Sequence, residues 1–104
     1  MQFVVVAEHA PELCPTSNRK IRDLMNQGAQ EIPALAKKLD IEIVALNVLG
    51  HDHQVIGVFE AADINAVREF VVESRFIQWN TTTVRASWSM EEALRRADAL
   101  PALF

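Results

Sequence analysis

The segment Glu8-His9-Ala10-Pro11-Glu12-Leu13-Cys14-Pro15-Thr16-Ser17-Asn18 carries the only cysteine of the chain and one of its three histidines, between a strand pattern and a helix pattern. A thiol at or just before a helix N-terminus meets unpaired backbone N–H groups and the positive end of the helix dipole, which favour ionisation. Three roles follow for Cys14. It can be a small buried hydrophobe that plugs the start of the helix. It can be a thiolate acting as nucleophile, persulfide carrier or redox group. It can also ligate a metal or a heme iron. His9 either continues the strand face of Phe3, Val5 and Ala7 or sits in the loop. Both placements allow a contact in which His9 serves Cys14 as a base or hydrogen-bond partner; the alternative is a satisfied structural histidine.

The remaining histidines, His51 and His53, surround Asp52 after Gly50. If the strand already runs there, they share a face and suit a metal, with Glu8 or Glu60 completing a two-histidine, one-carboxylate set. The turn composition of Gly50-His51-Asp52 favours the plainer reading of two solvated residues. Glu8 and Asn18 flank the strand-to-helix junction and are the polar groups expected to face a ligand; otherwise they are a sheet-edge carboxylate and a first-turn helix residue. Gly57 interrupts a strand pattern, which marks a bulge or a close approach and leaves room for a ligand. Trp79 and Trp88 bracket another strand and suit a core or a dimer interface better than ligand stacking. Arg85, alternating with Thr81 and Thr83, is an anion contact or, more plainly, a solvated strand residue.

The elements that must position these groups are legible from periodicity. Gln2 to Ala7, Ile41 to Leu49, Gln54 to Glu60 and Asn80 to Ser87 read as strands. Ser17 to Lys38 repeats Ile21, Leu24, Met25, Gly28, Ile32, Leu35 and Ala36, with Leu39 following, at helical spacing, with Ser17 or Thr16 as N-cap and Pro33 marking a kink or restart. Asp63 caps a second helix carrying Ile64, Val67, Phe70 and Val71 on one side. Ser89 and Glu92 form a capping-box pair for a third helix, supported by Glu91 with Arg95 and Glu92 with Arg96, and Pro101 ends it. The order β-α-β-β-α-β-α predicts an α+β, ferredoxin-like split βαβ fold with a four-stranded antiparallel sheet. Its inner strands are apolar on both faces, yet two helices cover only one, so a second copy of the chain is expected on the other.

Composition sets the outer bounds. The 104 residues, half of them apolar, suffice for one domain spanning 1–104. A net charge of −4 with ten scattered basic residues argues against nucleic acid as a partner. One cysteine, no apolar run of membrane-spanning length and no basic leader make a cytoplasmic protein without a membrane partner the expectation.

The stretch Leu49-Gly50-His51-Asp52-His53-Gln54-Val55-Ile56-Gly57-Val58-Phe59-Glu60-Ala61-Ala62-Asp63, followed by Ala66-Val67, resembles the Gly-x-Asp hairpin and Glu-Ala-x-Asp helix start of GYD-type and related small proteins. Those belong to the dimeric α+β barrel superfamily; His51 departs from the GYD pattern. Cys-Pro-Thr-Ser-Asn resembles a segment of another group of short proteins in that superfamily, one without assigned chemistry. The resemblance implies a homodimer in which two four-stranded sheets close a barrel, with each site between a sheet and its own helices. Members range from heme-degrading and cofactor-free monooxygenases to isomerases and plain binding modules, so no single reaction follows. Cys14-Pro15 also resembles the dipeptide that supplies an axial thiolate in some heme-responsive proteins.

The expectation is therefore a small-molecule site centred on Cys14, with His9 as its partner and Glu8, Asn18 and His53 as polar contributors. Oxidoreductase or sulfur chemistry suits it better than hydrolysis, since no serine nucleophile motif is present. The alternatives are a non-catalytic ligand-binding or oligomeric interaction module, and a metal or heme protein using the histidines with Cys14. The sequence names no cofactor, and it has no Gly-rich phosphate loop, Cys-x-x-Cys pair or His-Glu-x-x-His run.

Overall fold

A computed structural model describes residues 1–104. The elements are β1 (Gln2–Glu8), α1 (Arg19–Lys38), β2 (Glu42–Val48), β3 (Gln54–Glu60), α2 (Ile64–Glu73), a short α3 (Phe76–Trp79), β4 (Thr81–Ser87) and α4 (Met90–Asp98), with one 3-10 turn at Pro11–Leu13. The sheet runs β2-β3-β1-β4 with every neighbour antiparallel, the ferredoxin-like arrangement. No helix is long and apolar enough to cross a membrane.

Period-two alternation builds the core. Phe3, Val5 and Ala7 of β1 pair with Phe59, Gly57 and Val55 of β3, and all six are buried on the face under the helices. Against them pack Ala36 from α1 and Val67, Phe70 and Val71 from α2. The Phe59 and Phe70 rings meet at 5.1 Å between centroids. Burying each such side chain contributes about 1.5–3 kcal/mol. Val4, Val6, Ile56 and Val58 alternate onto the opposite, open face and stay half-buried.

Gly57 leaves no room for a ligand. A Cβ there would stand 2.5 Å from the Phe59 ring, so the space that a side chain gives up is filled from within. The α1 cap also differs from expectation. Asn18, rather than Ser17 or Thr16, accepts from the Ile21 N–H at 3.1 Å, and its Nδ2 donates to the Glu12 carbonyl at 3.1 Å. The two ends of one carboxamide thus tie the helix start to the preceding 3-10 turn. The helix continues through Pro33 without a restart.

Asp63 caps α2 through Asn65 and Ala66, and Ser89 caps α4 through Glu92. On α4 the expected i,i+4 pair of Glu92 with Arg96 forms at 3.2 Å, whereas Arg95 turns to the same Glu92 carboxylate at 2.6 Å instead of to Glu91. The α3 turn has no counterpart in the periodicity. Arg75 reverses the chain in the left-handed region, at φ 69°, and sets Trp79 and Asn80 against the end of β1.

Candidate functional site

The site grows out of the strand register. Glu8 opposes Gln54 on one side and Thr81 on the other. One step further, His9 therefore faces His53 and Asn80. The His9 N–H donates to the His53 carbonyl at 3.1 Å, extending the ladder past the strand ends. Because His9 keeps the parity of Phe3, Val5 and Ala7, its ring points to the helix-covered face.

The β2–β3 hairpin delivers the second imidazole. The Asp52 N–H closes a turn on the Leu49 carbonyl at 3.0 Å, and His53 takes φ 55° before the strand begins at Gln54. A left-handed residue at the end of a hairpin loop restores strand register. For a residue with a Cβ it costs about 1–2 kcal/mol. Such strain collects at functional sites.

Cys14 arrives from the β1–α1 loop, which is held firmly. Its carbonyl accepts from Ser17 and Asn18, at 2.9 and 2.8 Å. Arg22 of α1 reaches back with Nε to the Pro15 carbonyl at 2.8 Å and with a terminal nitrogen to the Thr16 carbonyl at 3.1 Å. The thiol is buried and lies 3.0 Å from Thr16 Oγ1. Its acidity is raised for a reason other than the expected helix dipole, since α1 begins only at Arg19. The Thr16 hydroxyl and then the Thr16 backbone hold the thiol below its ordinary pKa, burial works against them, and a hydrogen bond and charge from His53 add to the lowering.

The state of His9 is set by Asn80. The Asn80 amide Nδ2 donates to the Phe76 carbonyl at 3.1 Å, so Oδ1 is the acceptor for His9 Nδ1–H at 2.9 Å. The lone pair then resides on Nε2, which is buried and has no hydrogen-bond partner. Trp79 packs on the His9 ring at 5.1 Å, and His53 meets it edge-on at 5.5 Å. One donor atom each from His9, Cys14 and His53 lies within 4.8 Å of the others.

These groups line a cavity of about 280 Å³, together with Thr16, Met25 and Trp79. A second cavity of about 210 Å³ shares Met25, Val48, Val55 and Trp79 and continues between α1 and the sheet past Leu24, Ile32, Leu46 and Phe76. The two form one cleft with a polar end at Cys14 and an apolar end under α1. A scan against protein-family models gives no match, and a search of the curated proteins gives no significant one.

Of the residues singled out in the sequence, Cys14, His9 and His53 come together and three others do not. Glu8 lies on the opposite face and accepts from Gln54 Nε2. Asn18 has both ends of its carboxamide committed to the helix start. His51 reaches the cavity rim from the exposed turn but stays outside the cluster. The metal pairing anticipated between His51 and His53, with Glu8 or Glu60, is thus replaced by His9 and His53 with no carboxylate, because the strand starts only after His53. The sequence presents Thr16 only as a candidate helix cap, Asn80 only as a strand start and Trp79 as a core or interface residue, whereas all three border the cluster. The signal that finds Asn80 is the strand register, one step past the Glu8–Thr81 pair, which only the folded sheet supplies.

Proposed function

We propose that this chain is a small-molecule-binding protein whose reactive group is the Cys14 thiolate, working on sulfur or another soft electrophile. The observation that carries this reading is the meeting of Cys14, His9 and His53 at the polar end of a cleft that is otherwise apolar. Attack of the thiolate on a sulfur–sulfur bond forms one S–S bond as the other breaks. The electron pair leaves with the departing thiolate, so no external oxidant is needed. His53 supports the thiolate, and the apolar end of the cleft accommodates the uncharged body of the ligand. A non-catalytic binding module is the second reading, favoured by the lack of ionisable residues around the apolar cavity.

The protein acts as a homodimer in this proposal, with the open sheet face of Val4, Val6, Ile56 and Val58 covered by a second copy. Neutral iodoacetamide and anionic iodoacetate, applied to metal-free protein at pH 7, test the site. Cys14 is expected to react with iodoacetamide faster than a free thiol, and Leu24→Trp, which fills the apolar end, to slow a bulky apolar maleimide more than iodoacetamide. Labelling no faster than a free thiol, and indifferent to Leu24→Trp, contradicts the thiolate reading.

A further inference from the structure

We propose that Cys14 Sγ, His9 Nε2 and His53 bind one soft or borderline transition-metal ion, of the zinc or copper class, with the remaining coordination position open to the cleft. This rests on the small-molecule reading above and specifies what occupies its polar end: the metal-bound form holds the Cys14 thiolate as a ligand, and the metal-free form is the one that attacks a sulfur–sulfur bond. Three observations support it independently of any titration.

The donor set is the first. A thiolate with two imidazoles selects zinc or copper over calcium or magnesium, which take oxygen ligands, and no carboxylate belongs to the cluster. Met25 lines the same cavity.

The second is the locked and vacant nitrogen. Asn80 holds His9 Nδ1–H at 2.9 Å, the arrangement by which a carbonyl orients a ligating imidazole and fixes its tautomer. The nitrogen left over, Nε2, is the buried side-chain polar atom without a partner. An unpaired buried acceptor is destabilising, because it has lost its water without gaining a partner. A metal ion in the cluster removes that cost, whereas a catalytic base for Cys14 needs only one of the two imidazoles.

Distance is the third. Zinc holds sulfur at about 2.3 Å and nitrogen at about 2.0–2.1 Å, so tetrahedral ligand atoms stand roughly 3.3–3.8 Å apart. The three donors lie within 4.8 Å of one another, so closure by at most ~1.5 Å through side-chain torsions suffices. The backbone around them is already tied by the His9–His53 hydrogen bond and the Arg22 contacts.

Cobalt(II) titrated into EDTA-treated protein is the probe, because thiolate-to-cobalt charge transfer reports sulfur ligation and the visible bands report tetrahedral geometry. One equivalent is expected to give both signals, and zinc or copper(I) to displace the cobalt. Cys14→Ser is expected to abolish the charge-transfer band and His9→Ala or His53→Ala to weaken binding by a hundredfold or more, whereas His51→Ala leaves it unchanged. Asn80→Ala keeps every ligand and is expected to weaken cobalt binding about 10–100-fold, a readout that survives if a ligand variant fails to fold. Absence of a charge-transfer band, or equal binding by His9→Ala and wild type, overturns the metal site. If Cys14 still labels rapidly in that case, the small-molecule reading stands without the metal; if labelling is also slow, both fall.

Discussion

Thr16 sets the chemistry of Cys14 more directly than any helix does. With its hydroxyl 3.0 Å from the sulfur, it is the largest influence lowering the thiol pKa. Thr16→Val is therefore expected to move the pH-dependent rise in Cys14 alkylation to higher pH, read by mass spectrometry at a series of pH values; an unmoved midpoint would assign the shift elsewhere. The sign for stability follows from the same depression. The stabilisation linked to the thiolate is present above the unfolded thiol value and is lost as pH falls through the folded one. Cys14 and His9 were legible as chemistry because residue type and position carried the signal. Asn80 was not, since its role depends on a neighbour 71 residues away.

At the level of elements, periodicity in the sequence located every strand, α1, α2 and α4, because burial on one face imposes that periodicity. What it missed is tertiary. Arg75 reverses the chain at φ 69° with no glycine or asparagine beside it to announce the turn, His53 takes φ 55° three residues past the Gly50 that marks the hairpin, and α3 is too short to show a period. Gly57 offers the sharpest test of packing. Gly57→Ala drives a Cβ into the Phe59 ring, which is 1 % exposed and hemmed in by Phe70. Chemical denaturation is expected to show a loss of about 1–3 kcal/mol. Asn18→Ala removes a cap and a tie to the 3-10 turn at once, with an expected loss of about 0.5–2 kcal/mol and a less ordered Cys14 loop. An unchanged denaturation midpoint would deny Asn18 that role.

The whole molecule is more extended than its length requires. Its radius of gyration is 16.0 Å, against about 13 Å for a compact chain of this size. Its accessible surface is 7350 Å², where about 5,900 Å² is typical of a monomer of this mass. The excess matches α4, which buries no residue and makes no extensive contact with the other elements, and the tail beyond it, where Leu100, Leu103 and Phe104 are exposed. Together with the open face of the sheet, these surfaces underlie the proposed homodimer. Light scattering is expected to give twice 11.7 kDa, and Val6→Glu, placing a charge in the centre of the open face, to give the monomer. A monomeric wild-type protein would rule out the dimer and leave that face without its proposed cover.

The most direct measurement on the site is the pH profile of Cys14 alkylation in metal-free wild-type protein, with Cys14→Ser as the blank and His53→Ala alongside. A midpoint below the free-thiol value of about 8.5, moved upward in His53→Ala, is the predicted result. A midpoint at or above that value, indifferent to His53, would contradict an activated thiolate and leave Cys14 as packing in the wall of a binding cleft.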